Sequence, residues 1–453
     1  MFNTATRIAN HKKKPRAKAL RCERIAEVSR YRHAQALFLL SALATALTAS
    51  SGQAEWQPHM LKVGDGQGGR IEVPAQIQRI RYPGPGNEVT LPFGIVEMDN
   101  GELAMTVTAT PKDVSTTAYG VPRYTAIGFS KDGGNTWFDW RHLEIWAAQL
   151  SYLGEGNLTT ADHAFRYFSS DYGRTWPVKI PEQLCSCGKQ FGHFDREGYA
   201  AVDYDAKGNA VKIFSLGFHY EAGDGDWPAG HATGRVRSSI DGGRTWQNEV
   251  APPEWKVDVE YKGETHKRGV SEGTIVRAAN GDLVAALRVD MHPAYYPPAG
   301  NDNFEGLAVS ISKDDGKTWS EMNHLFTAGR HHQRIDLMPN GALVMTLIVR
   351  DDIRGAVHTG TSKDLTTDKV GADALVSLDN GATWNLDRRI TLHEFSNLIP
   401  FPNTCVGRIG SVALKDGSVL SAHGSVVKGS VGTWLIKWDP STVMAMPATP
   451  PRK

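Results

Sequence analysis

The sequence predicts an all-β protein, a six-bladed β-propeller of four-stranded antiparallel blades, and two repeated patterns support that prediction. The octapeptide Ser-x-Asp-x-Gly-x-Thr-Trp occurs five times in the 453 residues, beginning at Ser130, Ser169, Ser239, Ser312 and Ser377. Short apolar runs also meet at six turn glycines, a pattern typical of β-hairpins, at Gly101, Gly156, Gly208, Gly281, Gly341 and Gly417. Because both patterns recur along the chain, they indicate an array of one β unit.

Each residue type in the octapeptide has a structural reason to be there. The Asp side chain can accept hydrogen bonds from backbone N–H groups of a tight turn, and the Gly supplies a position with positive φ. The Thr and Trp then begin a strand with a large apolar side chain. Five catalytic or Ca²⁺-binding aspartates would require five near-identical sites, so we interpret the aspartates as structural.

The spacing of the hairpins predicts how many strands each unit holds. Successive turn glycines are 55, 52, 73, 60 and 76 residues apart, which suits four strands with variable loops. The first five hairpins are each followed by an octapeptide, whereas the sixth is followed only by a remnant at residues 429–434. Six such units around one axis form a propeller, which leaves no long unpaired sheet edge. A β-sandwich gives no reason for six similar units.

The charge of the chain is divided unevenly between a short leader and the rest. Residues 1–33 carry ten Lys and Arg against Glu23 and Glu27, so the remainder holds 40 basic and 47 acidic residues, a net charge of −7. A nucleic-acid partner is not expected for that acidic remainder. An apolar run at residues 34–49, too short for a stable membrane span, follows the basic stretch.

This layout predicts a secretory signal peptide over residues 1–54, with cleavage after Ala54 and a secreted or periplasmic product. An uncleaved N-terminal anchor is the alternative. The predicted domains are then a segment at 55–90 that enters the propeller, the propeller at 91–440 and a flexible tail at 441–453. The oligomeric state is left open.

Cysteines and short motifs predict neither a metal nor a cofactor. Cys22 lies in the leader, which leaves Cys185, Cys187 and Cys405 in the mature chain. The Cys185-Ser-Cys187 pair lacks further ligands at zinc spacing, and a disulfide to Cys405 or buried free thiols are both open. The sequence contains no P-loop, no Gly-rich dinucleotide motif and no His-Glu-x-x-His.

Hairpin topology predicts where a functional site would lie. The Gly turn marks one end of each hairpin, so the start of its first strand and the end of its second strand meet at the other end. The polar residues expected at this rim, in blade order, are Asp113, Tyr119 and Arg123; Asp162 and His163; Glu197 and His219; Glu272, Arg288, Asp290 and His292; His332, Arg334, Arg350, Asp351 and Asp352; Arg408 and His423. A solvated rim of loops explains any one of them, but not the collection of arginines.

Four of these arginines come from three consecutive blades, and they are Arg288, Arg334, Arg350 and Arg408. Guanidinium groups match planar carboxylates and sulfates, so we expect an anionic ligand. A carboxylate placed among them, Glu272 first, could transfer protons or act as a nucleophile.

The chain resembles the sialidase (neuraminidase) superfamily, whose repeats carry the same octapeptide as the Asp box. The resemblance covers residues 91–438 and is strongest in SEGTIVRAANGDLVAALR, where Glu272 opens a strand and Arg288 follows sixteen positions later. It implies that Glu272 activates the nucleophile and that Arg288 holds the substrate carboxylate. Two family positions differ: LPFGIV from Leu91 lacks the family's first arginine, and Arg408 occupies the place of the nucleophilic Tyr. The nearest counterpart of the family's acid/base Asp is Asp113.

Together these observations predict a sialidase-like exo-glycosidase that acts on an acidic glycan, whether sialylated, uronic or sulfated. Glu272 would be the base or the nucleophile's partner, and Asp113 or Asp351 the acid. The predicted substrate-binding residues are Arg288, Arg334, Arg350, Arg408, His219, His292, His332 and His423.

Two other functions stay open. A polysaccharide lyase acting on uronates would use Arg against the carboxylate and one of the histidines, or Tyr119, to take the α-proton. A non-catalytic glycan-binding propeller is the other alternative, because a propeller fold alone does not imply an enzyme.

Overall fold

The computed structural model describes residues 55–80, 87–111, 124–145, 149–162, 164–187, 199–220, 231–290, 292–293, 305–349, 369–396, 406–425 and 432–446, all within one compact unit, Gln53–Lys453. The predicted leader, Asp113, Tyr119, Arg123, His163, Glu197, Arg350, Asp351, Asp352 and Cys405 lie outside the described residues. Arg408 is described by its backbone alone.

The described chain is all-β and propeller-like, with almost no helix. Four separate sheets each contain four antiparallel strands that follow one another along the chain. The first is β3 (Asn87–Glu97), β4 (Leu103–Pro111), β5 (Tyr124–Ser130) and β6 (Phe138–Leu143). The second is β7 (Ser151–Gly154), β8 (Asn157–Ala161), β9 (Phe165–Ser169) and β10 (Val178–Pro181). The third is β11 (Ala201–Tyr204), β12 (Ala210–Tyr220), β13 (Ala232–Ser239) and β14 (Gln247–Val250). The fourth is β17 (Val270–Arg277), β18 (Leu283–Val289), β19 (Gly306–Ser312) and β20 (Asn323–Phe326).

A nine-stranded sheet contains the rest of the repeated pattern and both ends of the described chain. In sheet order its strands are β21 (Arg330–Leu337), β22 (Leu343–Val349), β23 (Lys369–Ser377), β24 (Ile390–Ser396), β1 (Gln57–Gly64), β2 (Arg70–Ile80), β27 (Gly432–Trp438), β26 (Val419–Ser425) and β25 (Val406–Ala413). Strand β1 pairs with β24 at only two positions, Lys62 with Thr391 and Val63 with Ile390. Strand β1 therefore joins two four-stranded runs, β21 to β24 and β25 to β27 with β2. In the second run, β2 takes the place of the fourth strand, which follows an octapeptide in the first run and in each of the four-stranded sheets.

The first strands of these runs lie side by side around a common centre. Contacts connect β3 with β7, β7 with β11, β11 with β17, β17 with β21, β21 with β25, and β25 back to β3. Each of these inner strands leads into one of the predicted hairpin turns. The six turn glycines all have positive φ, between 74° and 91°, which explains why glycine occupies them.

The five octapeptides form the turns between the third and fourth strands, and their aspartates have the structural role that we predicted. In each one the Thr backbone N–H donates to one Asp oxygen at 2.8–2.9 Å and the Thr hydroxyl to the other at 2.6–2.7 Å. The Gly N–H donates to the Ser hydroxyl at 2.8–2.9 Å. In the fourth copy, the hydrogen bonds from the backbone and hydroxyl of Thr318 lower the pKa of Asp314 to about 2.

Outside the sheets, the described residues hold one short α-helix, two 3₁₀ turns and one extra hairpin. The helix is α1 (Ser441–Met444), the 3₁₀ turns are Pro253–Trp255 and Leu386–Arg388, and the hairpin is β15 (Val257–Tyr261) with β16 (Glu264–Arg268). The hairpin was not predicted from the sequence, and it precedes β17. Among the described residues, no helix has the length and apolar character that a membrane span requires.

Candidate functional site

Four inner strands, β3, β17, β21 and β25, contain a β-bulge toward the end far from the hairpin turn. In β3 the register shifts between Val89 and Leu91 and again between Pro92 and Gly94. In β17, Ser271 and Glu272 lie opposite the single residue Arg288 of β18. In β21, His332 and Gln333 likewise lie opposite one residue of β22, and in β25 the bulge contains Gly407 and Arg408. A bulge breaks the strict alternation of side chains along a strand and redirects them locally.

The backbone of His332 supports a functional interpretation of this end. Its φ is +49°, in the left-handed region, although it is not a glycine. That conformation costs roughly 1–2 kcal/mol for an ordinary residue, and such strain is concentrated at functional sites. The bulge in β21 therefore holds a histidine at an energetic cost that the surrounding structure must offset.

The bulges bring four polar side chains together, Glu272, Arg288, Glu305 and His332, which we call the Arg288 cluster. Glu272 Oε2 lies 2.6 Å from Arg288 Nη1 and 2.8 Å from His332 Nδ1. The Nε of Arg288 forms an ion pair with the carboxylate of Glu305. All four are buried, with exposures of 9% for Glu272, 3% for Arg288, 4% for Glu305 and 8% for His332. Two carboxylates thus share one guanidinium, and the cluster has a net charge of −1 when His332 is neutral.

Neighbouring polar groups hold the cluster in position. The side-chain amide of Gln333 donates to the backbone oxygens of Glu272 at 3.1 Å and of Ala286 at 2.7 Å, which ties the two bulged strands together. Just beyond the bulged ends of β17 and β18, the carboxylate of Asp290 accepts hydrogen bonds from the backbone N–H groups of Gly269 and Ala232, both at 2.8 Å. Burial raises the pKa of Asp290, while these two hydrogen bonds act in the opposite direction.

Of the residues predicted at the rim, Glu272, Arg288 and His332 come together in this way, whereas Arg334 has other partners. Its Nε lies 3.0 Å from Asp336 Oδ1, and its guanidinium packs 3.6 Å from the ring centroid of Tyr199. Arg334 lines a central cavity whose lining includes none of the Arg288 cluster. Arg334 and Asp336 are two positions apart on β21, so both side chains point to the same face of that strand.

The other predicted histidines make structural contacts. The Nδ1 of His219 lies 3.9 Å from Cys187 Sγ and accepts from Arg235 Nε at 3.4 Å. The ring of His292 packs edge-on against Tyr261 of the extra hairpin, with centroids 5.7 Å apart, and burial is the main reason why its pKa is lowered.

His423 lies inside the nine-stranded sheet, fully buried. Its Nε2 is 2.9 Å from Nδ1 of His393 on β24, and the ring of His393 packs edge-on against Trp434 at 5.3 Å. This pair lies where the two four-stranded runs meet. None of the contacts described for His219, His292 and His423 involves the Arg288 cluster. Of the four histidines that the lyase mechanism could use, His332 is the one that the described contacts place in the cluster.

Cys185 and Cys187 form a disulfide, a pairing that the sequence analysis did not include. Their sulfurs and a ring nitrogen of His219 lie within 4.8 Å of one another, as in a three-ligand metal site. Because cysteine binds zinc as a thiolate, two cysteines joined in a disulfide do not fit a metal there. Cys405 lies outside the described residues.

Glu305 was missed by the sequence analysis, although a signal for it was present. It stands directly before β19, the third strand of its sheet, and the third strand begins at the same end as the first. The search considered only the two strands of each hairpin. Extending it to the start of the third strand would have found Glu305, one residue before Gly306.

Comparison with known proteins places this geometry in context. No protein-family model matches the chain. A sialidase of Bacteroides fragilis (strain YCH46) is 23% identical over 280 residues, which cover 51% of this chain and 49% of that protein. The chain thus matches about half the length of this curated relative.

Two solved structures are similar in fold. A protein of unknown function from Dyadobacter fermentans DSM 18053 has a TM-score of 0.54 and 16% identity, covering 80% of this chain and 99% of that chain. The GH93 α-L-arabinofuranosidase of Fusarium graminearum has a TM-score of 0.47 and 14% identity, covering 81% of this chain and 98% of that chain. The sialidase relative and the all-β sheet arrangement make the chain similar to sialidase-like β-propellers.

Proposed function

We propose that this chain is a secreted glycoside hydrolase in which the Arg288 cluster is the catalytic centre of a six-bladed propeller. The nine-stranded sheet would provide the fifth and sixth blades, β21 to β24 and β25 to β27 with β2. The closed series of contacts among the inner strands supports this count. The observation that carries the functional proposal is the pair of buried carboxylates on one guanidinium, with an imidazole on the carboxylate of Glu272.

Glu272 is the proposed base or the partner of the nucleophile. Arg288 and His332 both lie within ion-pair distance of its Oε2, so Arg288, and His332 when protonated, stabilise the ionised carboxylate. Glycoside hydrolysis also requires an acid that protonates the leaving oxygen, and for this role we retain Asp113 or Asp351. Glu305 is a positioning residue, because it contacts Arg288 from the side away from Glu272.

The charge of the cluster bears on the substrate. The acidic glycan predicted from the sequence would have to place its carboxylate or sulfate beside Arg288, where two carboxylates already lie. Arg334 is likewise paired with Asp336. The described residues therefore favour a neutral sugar next to Glu272, and an acidic sugar would depend on Arg350 and Arg408.

Secretion is part of the proposal. The layout of residues 1–54 is that of a signal peptide, and the disulfide between Cys185 and Cys187 supports an oxidising compartment. Mass spectrometry of the secreted protein tests this: a first residue close to Glu55 is expected, and an intact residue 1 would refute cleavage.

The test of the activity is a panel of fluorogenic glycosides of sialic acid, glucuronic acid, galactose and arabinofuranose. Turnover of at least one is expected, with a neutral glycoside preferred. Glu272→Gln should then lower kcat by about a hundredfold to ten-thousandfold, whereas the exposed control Glu321→Gln should not change it. Unaltered turnover by the Glu272 variant would exclude the mechanism. Binding of glycans with no turnover of any would favour the non-catalytic alternative.

A further inference from the structure

A cavity of about 730 Å³ lies on the axis at the end of the molecule away from the Arg288 cluster. Glu272 and His332 are each the third residue of their inner strand, whereas the cavity is lined toward the strands' last residues. Five inner strands end on a lining residue, namely Glu97, Tyr204, Arg277, Leu337 and Ala413. The cavity therefore opens on the side of the hairpin turns, and its volume falls in the range of small-molecule sites, roughly 300–1,000 Å³.

Asp336 is the lining residue that points to a ligand, because its carboxylate is buried and only one of its oxygens has a hydrogen-bond donor in the part of the chain that the structure describes. Only 5% of its surface is exposed, and its Oδ1 accepts from Arg334 Nε at 3.0 Å. Its Oδ2 is buried and has no hydrogen-bond partner among the described residues. This oxygen has almost no surface accessible from the cavity as it stands. Because a buried carboxylate oxygen without a donor is costly, a rotation of the side chain that brings Oδ2 to a ligand O–H or N–H group would be stabilised.

The side chains that hold Asp336 in place are themselves fixed by packing and hydrogen bonds. Arg334 stacks on the ring of Tyr199, and the Tyr199 hydroxyl donates to the backbone oxygen of Phe93 at 2.5 Å. Because Tyr199 is buried, with 4% of its surface exposed, Arg334 and its carboxylate partner are held in one geometry. A pre-organised polar surface of this kind lowers the entropic cost of binding a ligand.

The charges of the wall indicate the class of ligand. Arg277 donates to both oxygens of Asp203, at 3.0 and 2.6 Å, so that pair is already satisfied. Counting Glu97, Asp203 and Asp336 against Arg277 and Arg334, the lining has a net charge of −1. An anion is therefore disfavoured, whereas a neutral molecule rich in hydroxyl donors matches the unpaired oxygen of Asp336.

The mouth of the cavity adds apolar surface. The side chain of Tyr204 is 47% exposed and that of Leu337 is 39% exposed, although both line the cavity. An exposed aromatic ring beside hydrogen-bonding groups suits the mixed polar and apolar faces of a sugar.

We propose that this axial cavity is a second, non-catalytic site that binds a neutral saccharide unit, with Asp336 as its buried acceptor and Tyr204 at its mouth. The site is separate from the Arg288 cluster and does not depend on the proposed hydrolysis. It would hold a product or a distant unit of a longer glycan on the opposite face of the propeller.

The experiment is calorimetric titration of the full chain with D-galactose, L-arabinose and lactose, with ligand-observed NMR as a second readout. Binding of at least one sugar is expected, and Glu272→Gln should leave it unchanged. Asp336→Asn replaces an acceptor with a donor and should weaken binding by about tenfold to a hundredfold. Tyr204→Ala should weaken binding at least severalfold, and because it also removes the hydrogen bond from the Tyr204 hydroxyl to the backbone oxygen of Tyr152, Tyr204→Phe is measured beside it to separate the loss of the ring from the loss of that bond. Val211→Ala, 49% exposed on β12, is the control and should have no effect.

Three results would overturn the proposal: no binding of any of the three sugars, wild-type affinity in both Asp336→Asn and Tyr204→Ala, or loss of binding in Glu272→Gln. The last result would place the sugar at the catalytic centre instead. Failure of the hydrolase proposal would be seen separately, as unchanged turnover in Glu272→Gln.

Discussion

Replacing Arg288 by Met tests whether the Arg288 cluster is a buried, mutually dependent charge group. Met keeps the unbranched apolar stem of the side chain and removes the charge that lies between Glu272 and Glu305. Both carboxylates are more than nine-tenths buried, and both contact this guanidinium. Removing one partner of a buried ion pair costs about 3–5 kcal/mol, because the remaining charge is left uncompensated.

The expected loss is large relative to the whole stability of a protein, which is typically about 5–15 kcal/mol. Urea unfolding at pH 7, followed by tryptophan fluorescence, measures it directly. Arg244→Met is the matched control, since Arg244 is exposed and its loss should change the free energy of unfolding by less than about 1 kcal/mol.

A triple variant separates charge from packing. Combining Arg288→Met with Glu272→Gln and Glu305→Gln removes all three charges, and Gln keeps the shape of each Glu. It should recover most of the stability lost in the single variant, because well-packed neutral replacements of buried ion pairs are often close to neutral in effect. A loss below about 1 kcal/mol in Arg288→Met, or no recovery in the triple variant, would refute the view that the two carboxylates depend on Arg288.

Two further predictions concern stability and pH. Asp314→Ala removes the acceptor for both groups of Thr318 and should lower the free energy of unfolding by about 1–3 kcal/mol. Since the pKa of Asp314 is about 2, below its ordinary value near 4, the wild-type advantage should be present above about pH 4 and disappear toward pH 2; an equal difference at pH 2 and pH 7 would contradict this. Burial, then the nearby His59, lowers the pKa of His393 to about 3, and burial, then His393, lowers that of His423. The unfolded chain takes up these protons near pH 6.5, so stability should fall as the pH decreases below that value, by about 1.4 kcal/mol per pH unit for each group. His423→Gln should flatten this slope in urea unfolding between pH 7.5 and 5, and an unchanged slope would remove the histidine pair as its cause.

The features that the sequence predicted correctly are those fixed by local chemistry. The turn glycines and the octapeptide aspartates satisfy their hydrogen bonds within a few residues, so their pattern alone defines the structure. Glu272 and Arg288 could also be matched, because one hairpin turn sets the register between their strands. Their separation by sixteen positions already places them near each other at the end away from Gly281.

Features that depend on distant parts of the chain could not be predicted in the same way. Strand β2 pairs with β27 across more than 350 residues, and no local pattern indicates that partner. His423 and Arg334 were placed at the rim from their position along a strand, but position does not determine whether a side chain turns inward, toward a neighbouring sheet or to the axis. Glu305 lies sixteen positions after Val289, the last residue of β18, so its proximity to Arg288 results from the third strand and not from the hairpin.

The recurring bulge explains how a repeated unit can place different side chains at the end of the strands away from the hairpin turns. In a regular strand, residues alternate between faces, so each inner strand would direct only every second side chain to a given face. The bulges in β17, β21 and β25 insert one extra residue at the same level of each strand, and they contain Glu272, His332 and Arg408. Since the octapeptides and turn glycines preserve the frame of every sheet, the bulged residues are free to differ between sheets. The frame thus accounts for the repeats in the sequence, and the departures from regular pairing account for the candidate site.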